Sequence, residues 1–99
     1  MTLGNEGLIQ SLIKDGYLKS HEIIEAFLRF DRKAFLPSSA QSRAHANEAL
    51  PIGYKQTISQ PLVVAFMLEL LEVKSGDKVL EIGSGSGWKT ALLAELTGD

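Results

Sequence analysis

The sequence predicts an α/β chain in which a helical N-terminal half is followed by one strand, glycine-rich loop and helix unit. Three observations carry this. Apolar residues recur at helical spacing through the first third of the chain, and they recur again in "PLVVAFMLELL", residues 61–71. The stretch "KVLEIGSGSGWKT", residues 78–90, then runs from a short apolar strand through three alternating glycines into a helical pattern. With 99 residues, of which 44% are hydrophobic, the chain makes at most one small domain, and no repeat, low-complexity segment or linker divides it.

Each element has its own local reason. Leu8, Ile9, Leu12 and Ile13 fall on one helix face, and Gly16 stands where that helix ends. Ser20 is placed to cap a second helix, with Ile23, Ile24, Phe27 and Leu28 as its buried stripe, stopping before Pro37. The segment "PSSAQSRAHANEALPIGYKQ", residues 37–56, loses that period and carries Pro37, Pro51 and Gly53, which predicts loop with a short helix around residues 40–46. In "TISQPLVVAFMLELLEV", residues 57–73, the period returns. Pro61 suits a first helical turn, and Val63, Phe66, Met67, Leu70 and Leu71 form an apolar face. "KSGDK" (74–78) reads as a turn, "KVLEI" (78–82) as a strand and "GWKTALLAELTG" (87–98) as a helix ending near Gly98.

Composition removes several function classes. Ten basic against twelve acidic residues give a net charge of −2, with no field that would gather nucleic acid or anionic lipid. There is no cysteine, which excludes disulfides, thiolate catalysis and cysteine-ligated metal, and is compatible with a reducing cytoplasm. The longest apolar run, "LVVAFML" at 62–68, is too short to cross a bilayer, and the N-terminus has no basic segment followed by an apolar one. The expectation is a soluble cytoplasmic protein with no nucleic-acid or membrane partner.

The glycine loop can serve several ligands, and its neighbours discriminate among them. A phosphate-binding loop starting at Gly83 would have Lys89 and Thr90 in place, but Trp88 stands where its second glycine belongs. An indole there obstructs a backbone cradle for phosphate. The dinucleotide fingerprint G-x-G-x-x-G fails at the same residue. What remains is Glu81 followed by Gly83, Gly85 and Gly87 at alternate positions. A carboxylate at the strand end repels a pyrophosphate but attracts a ligand bearing an ammonium or sulfonium charge, and S-adenosylmethionine carries both.

These residues resemble a known family. "VLEIGSGSG" (79–87) looks like the first motif of class I S-adenosylmethionine-dependent methyltransferases, and "LPIGYKQTISQP" (50–61) resembles the signature that precedes it in protein-L-isoaspartate O-methyltransferases. The second is the more specific match. "LIQSLIKDGYLKSHEIIEAFLRFDRKAFLP" (8–37) resembles the opening of the same family, so the similarity covers essentially the whole chain. It implies the N-terminal helices and first strand-loop-helix unit of a Rossmann-like fold, truncated within a single methyltransferase domain. Residues 1–58 would form the helical region and acceptor loop, and 59–99 the helix, strand, cofactor loop and final helix. Where the family commonly has glycine this chain has Lys55, and it has Asn47 near a position that is often aspartate. Both departures bear on acceptor preference.

The resemblance implies methyl transfer from S-adenosylmethionine to the carboxylate of L-isoaspartyl residues in damaged proteins, the ester then favouring return to normal aspartate. A carboxylate is ionised at neutral pH and a sulfonium leaves readily, so the reaction needs alignment more than a strong base. By similarity Ser59 is the active-site serine that orients the acceptor carboxylate, with Gln56 and Thr57 supporting its loop. Ile82, Gly83, Ser84, Gly85, Ser86 and Gly87 line the methionine end of the cofactor, with Glu81 near its ammonium group.

Each residue also has a plainer reading. By spacing alone Ser59, two residues before Pro61, fits a helix cap equally well. The glycines could make only a tight turn, and Glu81 could be an exposed strand end. His21 and His45 lack a second metal ligand at suitable spacing and read as surface residues, while Trp88 and Tyr54 read as packing residues. The ribose-binding acidic residue of this fold class is expected beyond Asp99 and a parallel sheet needs more than one strand, which leaves a second class of function open: a catalytically inactive fragment acting as a binding module, or one that joins a complementing C-terminal part.

Overall fold

The four expected helices form, and a hairpin sits between the second and third. The computed structural model describes residues 4–53, 55–79 and 87–98. Helix α1 spans Gly4–Lys14 and buries Leu8, Ile9 and Leu12. It ends where glycine makes ending cheap: Gly16 has φ +83°, a left-handed conformation that lets the Tyr17 and Leu18 N–H groups return to the Leu12 carbonyl at 3.0 and 3.3 Å. Helix α2, His21–Arg29, buries Ile23, Ala26 and Phe27. Ile13 and Leu28, expected on the apolar stripes, are instead 42% and 47% exposed, while Leu12 and Ala26 are buried.

Beyond α2 the chain tightens into two 3-10 turns, Arg32–Phe35 and Ser38–Arg43, the second close to the expected short helix. An antiparallel hairpin follows, β1 at Leu50–Gly53 and β2 at Gln56–Ile58, with Leu50 opposite Ile58, Pro51 opposite Thr57 and an irregularity between Pro51 and Gly53. The sequence alone predicts loop here. Pro51 and Gly53 are breakers by type, yet a proline on a two-stranded ribbon needs no ladder bond on its outer side. Strands of four and three residues also leave almost no alternation to read.

Helix α3, Pro61–Leu71, starts on its proline as expected, but it presents the opposite face to the core. Pro61, Val64, Ala65 and Leu68 are buried, while Val63, Phe66, Met67, Leu70 and Leu71 are 39–67% exposed. Nearly every position of "PLVVAFMLELL" is apolar, so its period does not select a face. Val64, Ala65 and Leu68 serve the core, and on the outer face Phe66 packs edge-to-face with Tyr17, ring centroids 6.3 Å apart. The segment 74–77 turns, with the Asp77 N–H on the Lys74 carbonyl and the Gly76 N–H on the Thr97 carbonyl. Lys78 and Val79 carry no regular structure, and the rest of the expected strand lies outside the described residues. Helix α4, Trp88–Thr97, closes at Gly98 as expected and buries Trp88, Leu92, Leu93 and Leu96 against α2. Among the described residues no helix is long and apolar enough to cross a membrane.

Candidate active site

The hairpin sets the side chains of the expected acceptor loop. Along β2, Ile58 is buried while Thr57 and Ser59, which alternation turns to the opposite face, are exposed, and Gln56 at the strand's start is exposed as well. Ser59 does not cap α3. The N-cap position is Gln60, and the Leu62 N–H donates to Asn47 Oδ1 at 2.9 Å while Gln60 Nε2 donates to the Asn47 carbonyl at 3.1 Å. No described residue hydrogen-bonds the Ser59 hydroxyl, which leaves it exposed on a loop that other groups hold.

One of those groups is Arg32, whose side chain is fully buried. Its Nη1 donates to the carbonyls of Ala44 and Ala46, both at 3.2 Å, and its Nη2 to those of Glu48 at 2.6 Å and Ser59 at 2.9 Å. The guanidinium lies 5.7 Å from the ring centroid of Trp88, a cation–π contact that is worth more once water is excluded. Burial lowers the Arg32 pKa to about 10 against the opposing pull of Glu48, so the group stays charged at neutral pH. Nothing in the sequence marks Arg32, whose hydrogen-bond partners lie 12 to 27 residues away. Asp31 caps the 3-10 turn through the Lys33 N–H at 2.9 Å and holds His45 at 2.7 Å. His45 is therefore a half-buried partner of Asp31, whereas His21 is exposed beside Glu25.

Trp88 is a packing residue, as expected. It is 1% exposed, meets Phe27 edge-on at 5.4 Å and donates its indole N–H to the Phe30 carbonyl at 2.9 Å. Directly before it, Gly87 is the N-cap of α4 with φ +90°, and its carbonyl accepts the Ala91 N–H at 2.9 Å. Only glycine takes that conformation without strain, so the last glycine of the motif fits a loop that turns straight onto a helix and lets a ligand approach the main chain. Glu81, Ile82, Gly83, Ser84, Gly85 and Ser86 lie outside the described residues. Among the described residues no group of three or more His, Asp or Glu is placed to hold a metal. The structure thus leaves Gln56, Thr57 and Ser59 exposed at the end of the hairpin and connects the Ser59 backbone, through Arg32 and Trp88, to the helix that begins after Gly87.

Helices, hairpin and glycine-capped α4 together define a methyltransferase-type fold. A solved chain from Plasmodium falciparum, described as a protein-L-isoaspartate O-methyltransferase and in complex with S-adenosyl-L-homocysteine, matches with a TM-score of 0.86 at 23% identity over 98% of this chain and 44% of its own. A second solved protein-L-isoaspartate O-methyltransferase matches with a TM-score of 0.81 at 32% identity over 96% of this chain and 31% of its own. The family model described as protein-L-isoaspartate(D-aspartate) O-methyltransferase matches residues 3–99, and the chain belongs to that family. The protein-L-isoaspartate O-methyltransferase of Dictyoglomus turgidum is 52% identical over 92% of this chain and 41% of its own length, and that of Ignicoccus hospitalis 47% over 92% and 43%. The chain therefore spans about two fifths of the length of the curated relatives it matches.

Proposed function

We propose that this chain takes part in S-adenosylmethionine-dependent methylation of L-isoaspartyl carboxylates in damaged proteins, in the cytoplasm, as the acceptor-loop and glycine-loop portion of the catalytic domain. The observation that carries the reading is the state of Ser59: its hydroxyl is exposed, it is released from helix capping by Asn47, and its backbone is clamped by Arg32. Such a hydroxyl can donate a hydrogen bond to a carboxylate without reorganising its own loop, and Gln56 and Thr57 flank the same edge. Residues 1–58 carry the helical region and the acceptor loop that leads into Ser59, and residues 59–99 carry the following helix, the cofactor loop and the final helix.

S-adenosylmethionine, when bound, supplies a methyl group activated by its sulfonium, which an aligned carboxylate can displace. Glu81 would hold its ammonium group, and Ile82, Gly83, Ser84, Gly85, Ser86 and Gly87 its methionine end; the left-handed Gly87 at the head of α4 suits that role. The family assignment and the complex of the Plasmodium falciparum relative with S-adenosyl-L-homocysteine support this cofactor. A second reading, a non-catalytic module that joins a complementing C-terminal part of the domain, is favoured by the exposed apolar face of α3.

One assay tests both. The chain alone, and the chain joined to the remaining sequence of the Dictyoglomus turgidum relative, are given an isoaspartyl peptide and methyl-labelled S-adenosylmethionine, and base-labile methyl ester is counted. Ester from the joined form only supports catalysis that needs the complement. Ester from neither, or calorimetric binding of magnesium ATP without S-adenosylhomocysteine, rejects the methyltransferase reading.

A further inference from the structure

We propose that Arg32 is a positioning residue for the acceptor side of the site, fixing the backbone of Ser59 relative to the helix that follows the glycine loop. The proposal rests on the reading of Ser59 given above. A buried guanidinium ordinarily pairs with a carboxylate, because an uncompensated charge is costly to bury. Arg32 does not. The Glu48 carboxylate pairs with Arg43, and the two Arg32 Nη groups donate to four main-chain carbonyls from two separate segments, residues 44–48 and Ser59, with Trp88 against the guanidinium face and the buried Nε left without a hydrogen-bond partner among the described residues. Its planar fork fixes both distance and direction to each carbonyl, which a point-charge ammonium cannot reproduce. The Ser59 carbonyl is one peptide away from the N-cap of α3, so this bond sets the direction in which the Ser59 side chain leaves the loop. The contact with Trp88 refers that direction to α4, which begins one residue after Gly87. One side chain thus spans from the acceptor serine to the end of the cofactor loop.

The test is a double-mutant cycle in the form that makes ester, with kcat, peptide KM and S-adenosylhomocysteine affinity measured well below the melting temperature. Arg32→Lys keeps the charge but cannot span both carbonyl pairs. It is expected to lower kcat at least tenfold with KM and cofactor affinity within about threefold, and to add less than twofold when Ser59 is already alanine. An equal loss in both backgrounds, or unchanged kcat with only a lower melting temperature, overturns the proposal and leaves the methyltransferase reading standing. Absence of ester from the unsubstituted protein overturns both. Hydrogen exchange of the unsubstituted chain covers the case in which Arg32→Lys does not fold: the amides of Ser59 and Gln60 are expected to open together with those of residues 46–48, and independent opening of the two segments overturns the proposal without any variant.

Discussion

Asn47 Oδ1 accepts the backbone N–H of Leu62 at 2.9 Å, and so an exposed loop residue caps a helix fourteen positions beyond it. Gln60 Nε2 returns a bond to the Asn47 carbonyl at 3.1 Å, closing a reciprocal clasp around the start of α3. Losing a side-chain cap costs about 1 kcal/mol, so Asn47→Ala is expected to destabilise by that amount in urea titration. Asn47→Asp keeps the acceptor and adds a negative charge at the helix N-terminus, which is expected to add about 0.3–1 kcal/mol at low salt. A silent Asn47→Ala would mean that the clasp does not hold α3.

Glu69 makes a second clasp, between α3 and the start of α2. Its carboxylate accepts the Lys19 N–H at 2.6 Å, the Ser20 N–H at 2.7 Å and the Ser20 hydroxyl at 2.6 Å. Burial pushes its pKa up, but these bonds and the Lys19 charge together outweigh burial and leave it below the ordinary 4.5. A carboxyl depressed on folding contributes stability that is fully present above its unfolded pKa and is lost as pH falls through the folded one. The stability difference between the wild type and Glu69→Gln is therefore expected to be constant from about pH 7 to pH 5.5 and to shrink below about pH 4.5. A difference that stays flat down to about pH 3 would rule out the charged clasp.

These clasps show what the sequence could and could not disclose. Some helix bounds are legible because their causes are local: Gly16 and Gly98 end helices by their own conformation and Pro61 starts one, whereas α2 ends at Arg29, well short of Pro37. Ser20 was correctly placed at the N-cap of α2, but its hydroxyl turns to Glu69, forty-nine residues away, rather than to its own helix. The roles of Arg32 and Asn47 depend on partners that no spacing rule reaches. The buried face of α3 failed for another reason, since a helix apolar all round gives periodicity nothing to choose between. The roles proposed for Ser59 and the glycine loop come from the family resemblance. Only the structure removed the capping alternative, by giving the α3 N–H to Asn47.

Lys55 sits at the turn between β1 and β2 with φ +59°, a conformation costly for any residue with a Cβ. Its side chain is exposed and makes no hydrogen bond or ion pair among the described residues that would offset the strain. Lys55→Gly is expected to raise stability by about 1 kcal/mol, less the small entropy that glycine loses on folding. Thermal or urea unfolding checks the sign. A destabilised Lys55→Gly would show that the lysine side chain holds the hairpin through a contact worth more than its backbone strain.

For Ser59 the structure separates two quantities that the sequence left entangled. Because Asn47 rather than Ser59 caps α3, and because the Ser59 carbonyl rather than its hydroxyl is held by Arg32, removing the hydroxyl takes nothing from the described hydrogen-bond network. Ser59→Ala is therefore expected to change stability by less than about 0.5 kcal/mol, as at other exposed positions. If the hydroxyl orients the acceptor carboxylate, methyl transfer loses a hydrogen bond to a charged group, about 1.5–3 kcal/mol, or roughly tenfold to a hundredfold in rate. Affinity for S-adenosylhomocysteine is expected to stay unchanged, since the glycine loop is untouched. Thermal melts, calorimetry and the ester assay on the same preparation distinguish the cases. A melting temperature lowered with the rate intact would return Ser59 to a structural role, and an unchanged melting temperature with an unchanged rate would require a different residue to orient the acceptor.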